Sequence, residues 1–137
     1  MILNRKTHSL YSLKCKPSNH FLRFGQFGIK AISFTRITTE QIKALDRSFL
    51  FIIKKIGNKK NSIKLWNLIK LNFYLTKLSS ESRMGKGKGA IYTKAAYLKP
   101  GTILFEFDGV TYQQILYIFN FIKRKAPFKI SLVKQYN

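Results

Sequence analysis

Three glycines alternate with two lysines behind an arginine in Arg83-Met84-Gly85-Lys86-Gly87-Lys88-Gly89, the segment of this chain best suited to hold a ligand. Glycine removes side-chain bulk, so backbone N–H groups can come close to a crowded anionic surface. Arg83, Lys86 and Lys88 supply charge, and an arginine can grip a phosphate or a guanine edge with two parallel hydrogen bonds. Lysines two residues apart repel one another until an anion lies between them. The composition points to a polyphosphate, with Met84 expected to plug the loop against the body of the domain. A mononucleotide fits poorly. The phosphate loop of nucleoside triphosphatases needs G-x-x-x-x-G-K-[ST], and no hydroxyl follows either lysine here. The dinucleotide fingerprint needs G-x-G-x-x-G between a strand and a helix, whereas Gly85, Gly87 and Gly89 read G-x-G-x-G ahead of a strand-like run.

Other chemistry has less to build on. The acids are Glu40, Asp46, Glu81, Glu106 and Asp108, and no pair of them is spaced for acid–base work. His8 and His20 sit near the N-terminus, away from a plausible nucleophile. Cys15 is alone, which rules out an internal disulfide and a cysteine zinc site. The expectation is a protein that is not an enzyme and needs neither metal nor cofactor.

The charge balance says more. Against 26 Lys and Arg stand five Asp and Glu, a net charge of +21 on 137 residues. Self-repulsion on that scale opposes compaction and calls for a polyanion, nucleic acid first and an anionic membrane surface second. The length suits one domain, and 45% hydrophobic residues suffice for a core. The most apolar runs, Phe49–Ile53 and Ile115–Ile122, fall far short of the ~20 residues that span a bilayer.

The elements that must position the loop can be read from periodicity. Residues 1–23 carry basic residues, no acids and no period, and read as an extended arm. From Phe27 to Thr35 apolar and polar residues alternate as in a strand. Thr38 and Gln41 form a capping box for a first helix, whose Ile42, Leu45, Phe49, Ile52, Ile53 and Ile56 share one face. Lys43, Arg47, Lys54 and Lys55 fall away from that face, and Gly57 is expected to end the helix. A loop follows over Gly57–Asn61, and Ser62–Leu75 is β-like but irregular, with Trp66 expected as a core anchor. Beyond the glycine–lysine loop, Lys99-Pro100-Gly101-Thr102 carries a type II turn signature and predicts a tight hairpin between the runs around it. Thr111 and Gln114 start a second helix to Lys125 that buries Ile115, Ile118, Phe119 and Ile122; Pro127 stops it. Phe128–Val133 makes a last strand. Strands and helices mix without a βαβ rhythm, so the fold expected is α+β: a two-layer sandwich of mixed or antiparallel strands with two main helices.

These residues carry a resemblance. RMGKGKG (Arg83–Gly89) followed by LKPGTILFEFDGV (Leu98–Val110) resembles the bacterial-type and organellar L-sixteen family of large-subunit ribosomal proteins. FGQFGIKA (Phe24–Ala31), RITTEQIKALDR (Arg36–Arg47), KLWNL (Lys64–Leu68) and KAPFKISLV (Lys125–Val133) resemble further family segments, in order and at the family's spacing. The resemblance covers nearly everything from Phe24 onward. Two departures stand out: the arm is poorer in Arg and Lys than is usual in the family, and NLIKLNFYL after Lys64-Leu65-Trp66 lacks the usual proline.

The resemblance implies an α+β structural protein of the large subunit. It would bind rRNA between the central protuberance and the peptidyl transferase region, beside the A-site tRNA elbow, with P-site tRNA and other ribosomal proteins near. It implies no membrane insertion and no homo-oligomer. By match, the loop role falls on Arg83, Met84, Gly85, Lys86, Gly87, Lys88 and Gly89, and the arm role on Arg5, Lys6, Lys14, Lys16 and Arg23. The implied division is an arm over 1–23 and one rRNA-binding domain over 24–137, with residues 82–90 inserted into RNA. Residues 1–23 are about as long as the family's own arm, so the resemblance implies an arm with little room for a cleavable leader. Heavy use of Lys, Ile, Asn, Phe and Tyr then suggests an organelle-encoded, mitochondrial protein, with plastid and bacterial cytoplasm as alternatives.

Overall fold

The computed structural model describes residues 6–7, 21–56 and 63–135. The helix stop expected at Gly57, and Arg5, Lys14 and Lys16 of the arm, lie outside the described residues. Seven strands and two helices follow in the order β1 (Phe27–Ala31), β2 (Thr35–Thr38), α1 (Thr39–Ile56), β3 (Lys64–Asn67), β4 (Phe73–Lys77), β5 (Ala90–Leu98), β6 (Ile103–Asp108), α2 (Tyr112–Lys125) and β7 (Ile130–Lys134). They form a four-stranded sheet, β3-β6-β1-β7, and a three-stranded sheet, β2-β5-β4. Every described pairing is antiparallel. The architecture is α+β, as the residue pattern predicts.

Both helices begin where their capping residues place them. The Gln41 Oε1 accepts from the Thr38 N–H at 3.0 Å while the Gln41 N–H reaches the Thr38 Oγ1 at 3.5 Å. Thr111 and Gln114 repeat the box at 3.0 and 3.4 Å. Each box satisfies two of the donors that a helix start leaves open. From these starts α1 drives Ile42, Leu45, Phe49 and Ile52 into the core, and α2 drives in Ile115, Ile118 and Ile122. They meet β6, where the Phe49 ring lies 4.6 Å from Phe105 and 5.5 Å from Phe107, both tilted. Ile53, Ile56 and Phe119 pack half-buried against the rim of the same cluster.

The expected hairpin at Pro100-Gly101 does not form. The turn itself does: Gly101 has φ +83°, and the Thr102 N–H bonds the Lys99 carbonyl at 3.1 Å. But β5 and β6 belong to different sheets. Gly101 N–H donates to the Ala31 carbonyl at 2.8 Å and Ala31 N–H to that of Thr102 at 3.0 Å, so the turn is stitched to the end of β1. The single strand expected over Phe27–Thr35 likewise divides, as β1 and β2 go to separate sheets, and Ser62–Leu75 supplies β3 to one and β4 to the other. The one hairpin among the described residues is β4–β5, and the glycine–lysine segment is its loop.

Trp66 also departs from expectation. Edge strand β3 turns Leu65 to the core and Trp66 to the opposite face of the sheet, level with Glu106 and Gly28 on the neighbouring strands. There Trp66 is half-buried and stacks on Phe24, centroids 6.0 Å apart at 26°. Residues 21–25 run across this face: Leu22 occupies the space a Gly28 side chain would need, and Gly25 lies directly on the Phe107 backbone.

Glu106 fastens that segment. Its side chain has no solvent exposure. One carboxylate oxygen accepts the N–H groups of Phe24 at 2.6 Å and Gly25 at 2.9 Å, and Arg23 N–H spans both oxygens at 3.1 and 3.2 Å. Ionised acceptors make hydrogen bonds about twice as strong as neutral ones, which offsets the desolvation of the charge. Asp46 on α1 makes a weaker link, accepting from the Asn67 Nδ2 at 3.1 Å. Burial pushes the Asp46 carboxyl upward and the Asn67 bond partly reverses it. An acid raised in the folded state costs stability as pH climbs through its titration. Glu106→Gln is expected to lower stability by about 2–3 kcal/mol, the worth of hydrogen bonds to a charged group, and Glu106→Ala by more. The check is the urea midpoint.

Candidate nucleic-acid interface

Strands β4 and β5 hold the loop over residues 78–89 at its two ends, Lys77 opposite Ala90. A turn closes its first part, with the Ser82 N–H on the Ser79 carbonyl at 3.1 Å and the two serine hydroxyls hydrogen-bonded. Arg83, Met84, Gly85, Lys86, Gly87 and Lys88 are all exposed. Met84 is 94% exposed, so it does not plug the loop against the domain. The turn carries it outward with the cations, and no apolar surface meets it.

The three glycines divide by role. Gly85 and Gly87 have φ +89° and +91°, and no atom lies within 4 Å of where a side chain would start. Their use is conformational: left-handed backbone that other residues rarely adopt, in open space. Gly89 lacks positive φ. A Cβ there would lie 2.6 Å from the Lys77 carbonyl carbon and 2.8 Å from the Leu78 nitrogen. Gly89 therefore closes the neck of the hairpin, while Gly85 and Gly87 shape its tip.

The cations divide as well. Arg83 and Lys86 stand at the tip. Lys88 turns back and donates its Nζ to the Thr7 carbonyl, while the Lys6 Nζ bonds the Lys88 carbonyl at 2.8 Å. Thr7 Oγ1 in turn accepts the Tyr74 N–H on the free edge of β4 at 3.0 Å. Lys6 is thus brought to the loop, whereas Arg23 is held beside Glu106 on the other sheet. Further along the hairpin, Lys94 lies 5.4 Å from the Tyr74 ring centroid, and a register slip between Leu75 and Thr76 leaves Tyr92 without an opposite residue and 56% exposed. Cations interleaved with aromatic rings run from the loop down the strands. The sequence pattern alone did not reveal the Thr7 clamp, the Tyr92 bulge or the role of Glu106. Only the last had a signal: one acid amid the apolar run ILFEF, in a chain with five acids.

Among the described residues no group of His, Cys, Asp or Glu could hold a metal ion. Fold and site together define a cationic α+β domain that presents a glycine–lysine hairpin loop. A family model described as "Ribosomal protein L16p/L10e" matches residues 3–133. "Large ribosomal subunit protein uL16m" of Chondrus crispus is 46% identical over 130 residues, 95% of this chain and 94% of that protein. "Large ribosomal subunit protein uL16c" of Emiliania huxleyi is 33% identical over 82% of this chain and 77% of its own length. "Large ribosomal subunit protein uL16" of Orientia tsutsugamushi (strain Boryong) is 36% identical, covering 84% and 80%. The chain belongs to the L16p/L10e ribosomal protein family and is a structural constituent of the large ribosomal subunit, not an enzyme.

The two glycine roles separate experimentally. Gly89→Ala is expected to cost about 2–3 kcal/mol, because backbone must move to admit it. Gly85→Ala costs about 1 kcal/mol of local strain. Urea unfolding of the two variants checks the order.

Proposed function

We propose that this chain works in a mitochondrial ribosome, where the hairpin loop and the N-terminal arm bind large-subunit rRNA beside the A-site tRNA elbow and the peptidyl transferase region. Similarity to the Chondrus crispus protein, whose name marks it as the mitochondrial form, supports the compartment. The observation that carries the RNA reading is the loop tip: Arg83 and Lys86 stand exposed beside left-handed glycines with open space around them. Such a tip does little for the isolated fold. It lets backbone and cations slide between phosphates, whose charge relieves the repulsion among them. Gly85 and Gly87 would admit the backbone, Met84 would find its apolar contact in RNA, and Gly89 would set the angle at which the hairpin projects. Lys88 and Lys6 would act together, joining loop and arm into one contact surface, with Arg5, Lys14, Lys16 and Arg23 adding charge along the arm. Residues 1–23 serve as the arm and 24–137 as the body in this reading, and tRNA contacts would come from the same tip.

The full chain should co-sediment with large subunits at moderate salt and be released as salt rises. Neutralising six to ten phosphates would weaken binding roughly 10³–10⁵-fold between 50 and 200 mM on duplex-DNA scaling. Replacing Arg83 and Lys86 together by alanine should reduce the salt slope by about one for each cation removed. Unfolding stability should stay within about 0.5 kcal/mol, since neither side chain packs on the core. An unchanged slope in the double variant would sink the assignment of the tip.

A further inference from the structure

The face of the four-stranded sheet that carries Trp66 and Glu106 opens into a groove of about 390 Å³, within the ~300–1,000 Å³ range of small-ligand sites. Phe21, Arg23 and Phe24 line it from one side, and the residues after β3, up to Lys70, line it from the other. Phe21 is 70% exposed and Phe24 58% exposed, so two aromatic rings stand open together on one wall of the groove. Phe24 is nonetheless held in place twice over. Its N–H donates to the Glu106 carboxylate at 2.6 Å, and its ring stacks on Trp66. A fixed, exposed aromatic ring at the mouth of a groove is a stacking platform prepared in advance. The charged side chains exposed along its walls, Arg23 and Lys70, are both cations. Unpaired bases are recognised in this way, the ring stacked on an aromatic side chain and the neighbouring phosphates held by cations.

We propose that this groove takes an unpaired nucleobase of RNA, stacked against Phe24, with Arg23 and Lys70 on the phosphates either side of it. An acidic peptide would satisfy the cations but would leave the rings without a planar partner. The proposal rests on the RNA-binding reading above, but it involves the opposite sheet and none of the loop residues. Glu106 gains a second consequence: by fixing the backbone of Arg23 and Phe24 it positions both the platform and a cation.

Trp66 is the chain's one tryptophan and touches the platform, so its fluorescence reports on the groove. The full chain would be titrated with a short single-stranded oligoadenylate and with an abasic oligomer of the same length. Oligoadenylate should perturb Trp66 fluorescence and bind about 5-fold or more tightly than the abasic strand, the lower end of what one stacked base contributes. Phe24→Leu, which keeps the backbone bond to Glu106, should abolish that preference while leaving abasic affinity unchanged. Lys70→Gln should weaken both strands alike. Equal affinities for the two strands in the unaltered protein would overturn the groove assignment whether or not any variant folds. Failure of both strands to bind at low salt would overturn the RNA reading itself.

Discussion

A carboxylate cut off from water fastens residues 23–25 across the four-stranded sheet. Glu106 lies in the middle of β6, the strand that carries Phe105 and Phe107 against α1 on one face and supports residues 21–25 on the other. Three successive N–H groups converge on it. An ionised group without exposure is tolerated only where its acceptor sites are filled, so the segment must pass across the sheet at that level. The stack of Phe24 on Trp66 and the close approach of Gly25 to the Phe107 backbone follow from that one crossing. In a chain with so few acids, one is spent on order and withheld from neutralising the surface.

The consequence is a surplus of charge with nowhere internal to go. Lys43, Arg47, Lys54 and Lys55 ride on the outside of α1, Lys123, Arg124 and Lys125 at the end of α2, and Arg83 and Lys86 at the hairpin tip. The last turns of both helices at least place cations where the helix dipole favours them. At the hairpin tip no such compensation exists, and the glycines beside it keep the backbone open. A constituent of a ribosome has its counter-charge supplied from outside, which explains how a domain can hold a good core beneath a surface that repels itself.

Geometrically, the chain alternates between its two sheets. β1 passes to β2, β3 to β4, and β5 to β6 across the layers, each by a short link. Only β4 and β5 remain neighbours in sequence and in space, and that frees their connection to project as a long loop. The clamp of Lys88 and Lys6 then sets Thr7 against the outer edge of β4, where its hydroxyl accepts the Tyr74 N–H.

Much of this was written locally. Helix starts at Thr38 and Thr111, the apolar stripes of Ile42, Leu45, Phe49 and of Ile115, Ile118, Ile122, and the left-handed turn at Gly101 all depend on residues within a few positions of one another, so periodicity and capping suffice to read them. The RMGKGKG motif, and with it the ribosomal family, was equally legible because side-chain type and spacing carry it. What the turn at Gly101 joins was not legible: a type II turn closes a hairpin or redirects a strand with the same four residues, and the choice lies with β1, some seventy residues upstream. The outward course of Met84, the exposure of Trp66 to Phe24 and not to the core, the embrace of Glu106 by Arg23, Phe24 and Gly25, and the division of labour between Lys86 and Lys88 are likewise contacts between distant segments. Composition and local pattern determined what this protein is made to meet; packing decided which residues are turned toward that meeting and which hold the others still, because burial and hydrogen bonding are settled only when remote strands come together.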